Sequence, residues 1–280
     1  MHHGKKNTKQ QMINIKNKLD KLNLSFQVIS KIRDGETSKT YLGKFKNKKA
    51  IFKLFNLESS RLQINQYLKL KIYESMSENN LCPKILFISD ECDLLIYEFF
   101  ETYEDLKVTN IIKKLGKKIK QVHLQEIPKN LIKFEDQLHN YEKILSGSSK
   151  LKRVKEGIEL YKDLIKDETD LVFSHNDLNV LNVLLNKDSV SFIDWEYASI
   201  NSRYYDLSKI INSFKLDNLD TNNLFVHYGL ETSSNTFRKI KNWKLMDSYL
   251  ALIWSITINK IYENYFNVEW IEFLEDQIKQ

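Results

Sequence analysis

The chain has 280 residues, 42% hydrophobic and 12% aromatic, with 43 Lys and Arg against 37 Asp and Glu for a net charge of +6. That is ample for a large core in one domain or two lobes, while no apolar run approaches the roughly 20 residues that span a bilayer. Two cysteines, Cys82 and Cys92, exclude a disulfide framework or thiolate metal cluster, and the Lys/Asn-rich start lacks the pattern of a signal peptide, so a reduced, cytoplasmic protein is expected.

Residues 1–24 read as a tail with a short amphipathic helix at 11–22, carrying Met12, Ile13, Ile15 and Leu19 on one side. Along most of the rest, Lys alternates with acid, as in Lys155-Glu156-Gly157-Ile158-Glu159. This is a solvated surface rather than a nucleic-acid site.

From 25 to 101 the period is that of strands, expected at 26–32, 40–45, 49–55, 85–88 and 94–100. A helix at about 58–78 interrupts them before Pro83. This is an α+β small lobe of five antiparallel strands and one helix. The turn Asp34-Gly35-Glu36-Thr37-Ser38 makes Gly35, Thr37 and Ser38 candidates for a flap over phosphates, with a plain hairpin turn as the alternative. In Ala50-Ile51-Phe52-Lys53-Leu54-Phe55, strand alternation aims Lys53 into the cleft, where such a lysine pairs with nucleotide phosphates. Glu98 lies in Tyr97-Glu98-Phe99-Phe100-Glu101, where a hinge should fall and the backbone would meet adenine.

From 102 to 280 the pattern is helical, with helices expected at 105–123, 136–146, 152–166, 204–216, 236–262 and 267–279. One stretch is different. His175-Asn176-Asp177-Leu178-Asn179-Val180-Leu181-Asn182 precedes Val183-Leu184-Leu185 and Val190-Ser191-Phe192-Ile193, two short strands turning at Asn186-Lys187-Asp188. The hairpin is the one clear β element expected here, and it would return Asp194 beside Asn182. A lone Asp often caps a helix. An Asp, an Asn five positions on and a second Asp after a hairpin instead suit phosphoryl transfer: Asp177 orients the attacking hydroxyl, and Asn182 with Asp194 holds Mg²⁺ against the phosphates.

His175 is expected to brace this loop rather than titrate. In an extended segment, residues two apart share a face, so Glu196 should point with Asp194 and favour a cationic substrate, unless it is spent on a salt bridge. Trp254, on an apolar helix, is either core or an aromatic wall for a quaternary ammonium.

At these residues the chain resembles the choline/ethanolamine kinases, within the aminoglycoside-phosphotransferase-like branch of the protein-kinase-like superfamily. The resemblance runs from about Ser25 to the C-terminus. Its strongest segments are Ile193-Asp194-Trp195-Glu196-Tyr197 and Asn201-x-Arg203-x-x-Asp206, followed by Leu115-Gly116-x-x-Ile119-x-x-Val122-His123 and Leu81-Cys82-Pro83-Lys84-Ile85-Leu86.

The resemblance implies a two-lobed kinase fold with ATP and Mg²⁺ as cofactors. It makes Asp177 the catalytic base, Asn182 and Asp194 the metal ligands, Lys53 the phosphate contact and Glu196, Tyr197 and Trp254 the acceptor side. Asn201, Arg203 and Asp206 would be structural support. The implied partner is a small cationic alcohol, choline ahead of ethanolamine, with thiamine or an aminoglycoside as alternatives; a non-catalytic nucleotide-binding protein is the alternative of another class.

Three departures stand out. The flap reads Gly35-Glu36-Thr37-Ser38. No acid lies between Arg61 and Glu74 to partner Lys53, leaving Gln63 or Gln66. Lys209-Ile210-Ile211-Asn212-Ser213 lacks the acid that eukaryotic members carry there to help hold the cation.

Overall fold

The computed structural model describes residues 19–20, 25–35, 37–55, 66–102, 111–166, 171–262 and 265–279. The chain divides into two compact units, Met1–Glu101 and Thr102–Gln280.

The first unit is built on β1 (Phe26–Asp34), β2 (Ser38–Phe45), β3 (Lys48–Phe55), β4 (Ile85–Ile88) and β5 (Leu94–Glu98), with α1 (Gln66–Glu78) between β3 and β4. The strands form one antiparallel sheet in the order β1-β2-β3-β5-β4. Lys46 and Asn47 both take positive φ, 48° and 64°, which gives β2 and β3 the two-residue turn that matches strand twist. Val28, Tyr41, Phe45, Ala50, Phe52, Leu94 and Ile96 form the core on one face, joined by Leu19. Of the helix expected at 11–22, Leu19 and Asp20 are helical; residues 11–18 and 21–22 lie outside the described set.

Because β3 is a central strand, its burial does not alternate: residues 50 to 53 are all buried, Lys53 at 4% exposure among them. The last strand ends at Glu98 rather than at residue 100.

The second unit holds α2 (Ile112–His123), α3 (Phe134–Ile144), α4 (Leu151–Ile165), α5 (Arg203–Ser213), α6 (Asn218–Tyr228), α7 (Ser234–Tyr262) and α8 (Val268–Gln277). Helix α6, capped by Asp217 and ended by Gly229 at φ 90°, was not among the expected helices. Its apolar residues do not keep one face, so periodicity misses it. The hairpin of β7 (Val183–Leu185) and β8 (Val190–Phe192) is present. It is not the sole β element, as β6 (Leu171–Ser174) pairs antiparallel with β9 (Ser199–Ser202). Four-residue strands 25 positions apart leave almost no local signature.

Around Tyr205, the rings of Phe134, Tyr161 and Trp243 pack with centroids 5.1 to 5.9 Å apart and join α3, α4, α5 and α7. No helix among the described residues is long and apolar enough to cross a membrane.

At Gly43 the sheet leaves no room for a side chain. A Cβ there would run into the Gln27 carbonyl oxygen and come within 2.6 Å of Phe52 Cε2. Gly43→Ala is therefore expected to cost the first unit about 1 to 3 kcal/mol, read as a lower urea midpoint. An unchanged midpoint would show that the ring yields freely.

Candidate functional site

The site in the second unit is assembled on one buried carboxylate. Ser202 caps α5 by accepting the Tyr204 N–H, which puts Asp206 in the first helical turn with no solvent exposure. Its oxygens accept the backbone N–H of His175 and of Asn176, each at 2.8 Å, and His123 Nε2 at 3.0 Å; Tyr228 Oη stands 2.7 Å from His123 Nδ1. Burial alone would raise Asp206, but the hydrogen bonds it accepts from His123 and from the His175 backbone N–H outweigh it, and its pKa falls below the ordinary value.

This pins the start of the loop between β6 and β7, where Asn176 takes left-handed φ, 64°. Asn176 Nδ2 donates to Tyr197 O at 2.9 Å and Ser199 Oγ at 2.6 Å. Its Oδ1 accepts Ser174 Oγ–H at 3.0 Å and Asn201 Nδ2–H at 2.8 Å. His175 ties its own loop to the segment after β8: Nε2 donates to Ile193 O at 2.9 Å, and Nδ1 accepts the Asp177 N–H at 3.2 Å. A carbonyl can only accept and an N–H only donate, so the ring is neutral with its proton on Nε2. Burial lowers its pKa against the pull of Asp206.

Asp177 Oδ2 accepts Asn182 Nδ2 at 2.7 Å, and Oδ1 accepts Asn179 Nδ2 at 2.9 Å. The other Asn182 atom, Oδ1, is buried and accepts no hydrogen bond among the described residues. Asp194 takes left-handed φ, 73°, and its charge acts on both Asp177 and His175. Burial, opposed by Lys209 and reinforced by Asp194, lifts the Asp177 carboxyl from 3.8 to about 6.

The expected extended segment at 194–196 is instead a 3₁₀ turn, Trp195–Tyr197, because left-handed Asp194 reverses the backbone after β8. The shared-face argument for Glu196 therefore fails. Its placement comes from elsewhere: Tyr141 on α3 is raised by burial, then by Asp177 and Glu196 together. Tyr197 is raised by burial, Glu196, Tyr141 and Asp177. Half-buried Trp254 donates Nε1–H to Tyr197 Oη at 2.9 Å and packs on Phe266 at 5.6 Å between ring centroids. Asp177, Glu196, Tyr197 and Trp254 thus fall in one neighbourhood. Arg203, at the start of α5, acts on the Tyr228 hydroxyl.

Sequence reading missed two charged residues here. Lys209 Nζ lies 2.7 Å from Asp247 Oδ1 and 4.0 Å from Asp177 Oδ1, and Tyr205 Oη donates to the same Asp247 oxygen at 3.3 Å. Burial lowers the Lys209 pKa, but Asp247 and Asp177 more than reverse it. A signal was available: Asp247 is the one acid within Ser234–Tyr262, and Lys209 sits three residues after Asp206 on the same helix face. Asp247 of α7 thus reaches residues 209–213, where it is paired with Lys209. Tyr141, Asn176 and Asn179 were also missed, their partners being fixed only by the folded loop.

In the first unit, Thr37 and Ser38 are buried, Gly35 N–H donates to Ser38 O at 2.9 Å, and Glu36 lies outside the described residues. Lys53 Nζ stands 5.5 Å from the Phe55 ring centroid, and buried Lys69 of α1 stands 4.0 Å from it, so a second lysine comes from the helix. Gln63 and the Gln66 side chain lie outside the described residues. Glu98 Oε1 lies 3.8 Å from Lys48 Nζ in an exposed pair, while its N–H donates to Lys84 O.

The chain matches the family described as choline/ethanolamine kinase over residues 23–251. It is 26% identical over 212 residues to a Protein LicA homolog of Mycoplasma capricolum subsp. capricolum, covering 71% of this chain and 83% of that one. Among solved structures it is similar to the choline kinase LicA of Streptococcus pneumoniae, with TM-score 0.73 and 20% identity over 96% of this chain and 99% of that one. It is likewise similar to an ethanolamine kinase of Plasmodium vivax, with TM-score 0.69 and 20% identity over 92% and 81%. The fold is thus the α+β, protein-kinase-like one.

Removing the Asp206 carboxylate strands the N–H groups of His175, Asn176 and His123 in the interior. Asp206→Ala is expected to lose about 3 to 5 kcal/mol, seen as a large drop in melting temperature. A variant that melts with the wild type would show that the loop is held by other means.

Proposed function

The chain belongs to the choline/ethanolamine kinase family and is a phosphotransferase with an alcohol acceptor, and on that footing we propose that it moves the γ-phosphoryl group of ATP to the hydroxyl of choline, with ethanolamine second. The observation that carries this reading is the pairing of Asp177 with Asn182. One amide atom holds the carboxylate at 2.7 Å, while the other, Oδ1, is buried and unsatisfied among the described residues.

An orphaned amide oxygen near a carboxylate is a hard-oxygen donor set of the kind Mg²⁺ takes, and Asn182 Oδ1 with Asp194 would hold it. When bound, the metal would offset charge on the β- and γ-phosphates.

The remaining roles belong to the chain. Asp177, held at both oxygens by Asn179 and Asn182, has a fixed orientation. It would accept a hydrogen bond from the acceptor hydroxyl, aim the oxygen at phosphorus and take the proton late in transfer. Lys53 would bind the phosphates, and the backbone at Glu98 the adenine, with Gly35, Thr37 and Ser38 over the phosphates. Glu196 would neutralise the acceptor's ammonium, with Tyr197, Tyr141 and Trp254 as the aromatic wall. His175, Asn201, Arg203 and Asp206 would act by holding the loop. Cys82 and Cys92 are unpaired thiols, in keeping with a cytoplasmic enzyme.

A coupled ADP-release assay across choline, ethanolamine, thiamine and an aminoglycoside panel tests the acceptor. Choline is expected to give the highest kcat/KM, and stimulation by an aminoglycoside alone would overturn the reading.

Asp177→Asn is expected to lower turnover by about 10²-fold or more. The same variant has a stability signature. Because the folded pKa of Asp177, about 6, exceeds its ordinary 3.8, the wild type's folded state holds the extra proton between those values. Ionisation above about pH 6 therefore works against the fold. The melting temperature of Asp177→Asn minus that of the wild type should rise from about pH 5 to about pH 8; a difference that falls would place the carboxyl's pKa below its ordinary value.

A further inference from the structure

One stripe of α5 runs along the loop that carries Asp177. Asp206 accepts the backbone N–H groups of His175 and Asn176, each at 2.8 Å. Lys209 Nζ stands 4.0 Å from Asp177 Oδ1, and Ser213 Oγ accepts the Val180 N–H at 2.9 Å. Residues 206, 209 and 213 are spaced three and four apart, so they share one helix face, and they meet residues 175 to 180 in chain order. Asp206 and Ser213 hold backbone. Lys209 instead reaches a side chain, the carboxylate proposed to face the acceptor hydroxyl.

The other partners of that carboxylate come from its own loop. Asn179 Nδ2 donates to Oδ1 at 2.9 Å and Asn182 Nδ2 to Oδ2 at 2.7 Å. Amides two and five residues away fix the carboxylate relative to the loop, but they would travel with it if the loop shifted. Among the described residues, Lys209 is the contact on this carboxylate that comes from another element. A lysine on a free four-carbon stem would be a poor reference point. This one is held. Its Nζ lies 2.7 Å from Oδ1 of Asp247, which is 7% exposed and also accepts the Tyr205 hydroxyl at 3.3 Å. Tyr205 in turn is fully buried against Phe134 and Trp243. The ammonium is therefore tied, through α7, to the aromatic core of the second unit.

We infer that Lys209, backed by Asp247, is a positioning residue that registers the Asp177 carboxylate against the helical framework, so that it is already aimed when the acceptor hydroxyl arrives. The inference rests on the reading of Asp177 given above and deepens it. An electrostatic tie at 4.0 Å suits the task, because it restrains the carboxylate without taking the lone pairs that the hydroxyl needs.

The test is a double-mutant cycle on kcat, run with choline or with whichever alcohol of the acceptor panel the wild type phosphorylates. Lys209→Met should lower kcat about tenfold or more, while KM for ATP and for the acceptor moves by no more than about threefold. In the Asp177→Asn background the same substitution should cost less than about twofold, since no carboxylate is left to place. A lysine that served only the fold would depress kcat equally in both backgrounds. That result would overturn the inference, as would wild-type kcat in Lys209→Met. Because Lys209→Met strands the Asp247 charge in the interior, Lys209→Met/Asp247→Asn is the second variant. It leaves no buried charge unpaired and must show the same loss of kcat; recovery to the wild-type value would also overturn the inference. Near-normal turnover in Asp177→Asn would strike the role of Asp177 itself, an outcome distinct from a slow Asp177→Asn beside an unimpaired Lys209→Met.

Discussion

The geometry of this site depends on a carboxylate that takes no part in the proposed chemistry. Asp206 is fully buried and accepts three hydrogen bonds, two of them from consecutive backbone N–H groups of the loop that carries Asp177. A buried charge is costly unless its hydrogen bonds are made, and those bonds can be made in only one arrangement of α5, α2 and the loop. The requirement thus works as a positional constraint. Once it is met, Asn176 is forced left-handed, and its side chain ties the loop to the 3₁₀ turn through Tyr197 O.

From that anchor the active groups follow by short steps. His175, neutral and proton-donating at Nε2, holds the carbonyl immediately before Asp194. Asn182 reaches back five residues to Asp177. The two segments that carry proposed metal ligands are therefore connected through one imidazole and one amide. Low dielectric strengthens such a network when every member is satisfied, and Asn182 Oδ1 is the member left open.

Much of this was legible in the sequence, for identifiable reasons. The five strands of the first unit were visible through their period, and Lys53 through its strand. Asp177, Asn182 and Asp194 stood out because a loop and a hairpin impose a fixed spacing. What was hidden depends on pairing at a distance. The β6–β9 ladder, helix α6 and the Lys209–Asp247 contact join residues whose local context says little, and the turn at Asp194 follows from a positive φ that no alternation pattern reveals. Glu196 was reached by an argument from extended backbone, and the backbone there is not extended. Its neighbourhood with Tyr141 and Tyr197 comes from the fold.

The β6–β9 pairing also has a consequence for how the protein is made. Both strands of that pair, and the Asp206 that locks the loop, must have left the ribosome before Asp177 has a defined position. Asp247 on α7 arrives some way later. During synthesis the loop therefore stays unstructured with its polar backbone in water, and closes only when non-local contacts have recovered the entropy of that closure. A nascent chain cut off between Asp194 and α5 would carry every residue proposed to touch ATP or Mg²⁺ without the geometry to use them. Competence would come late in translation, as a single event.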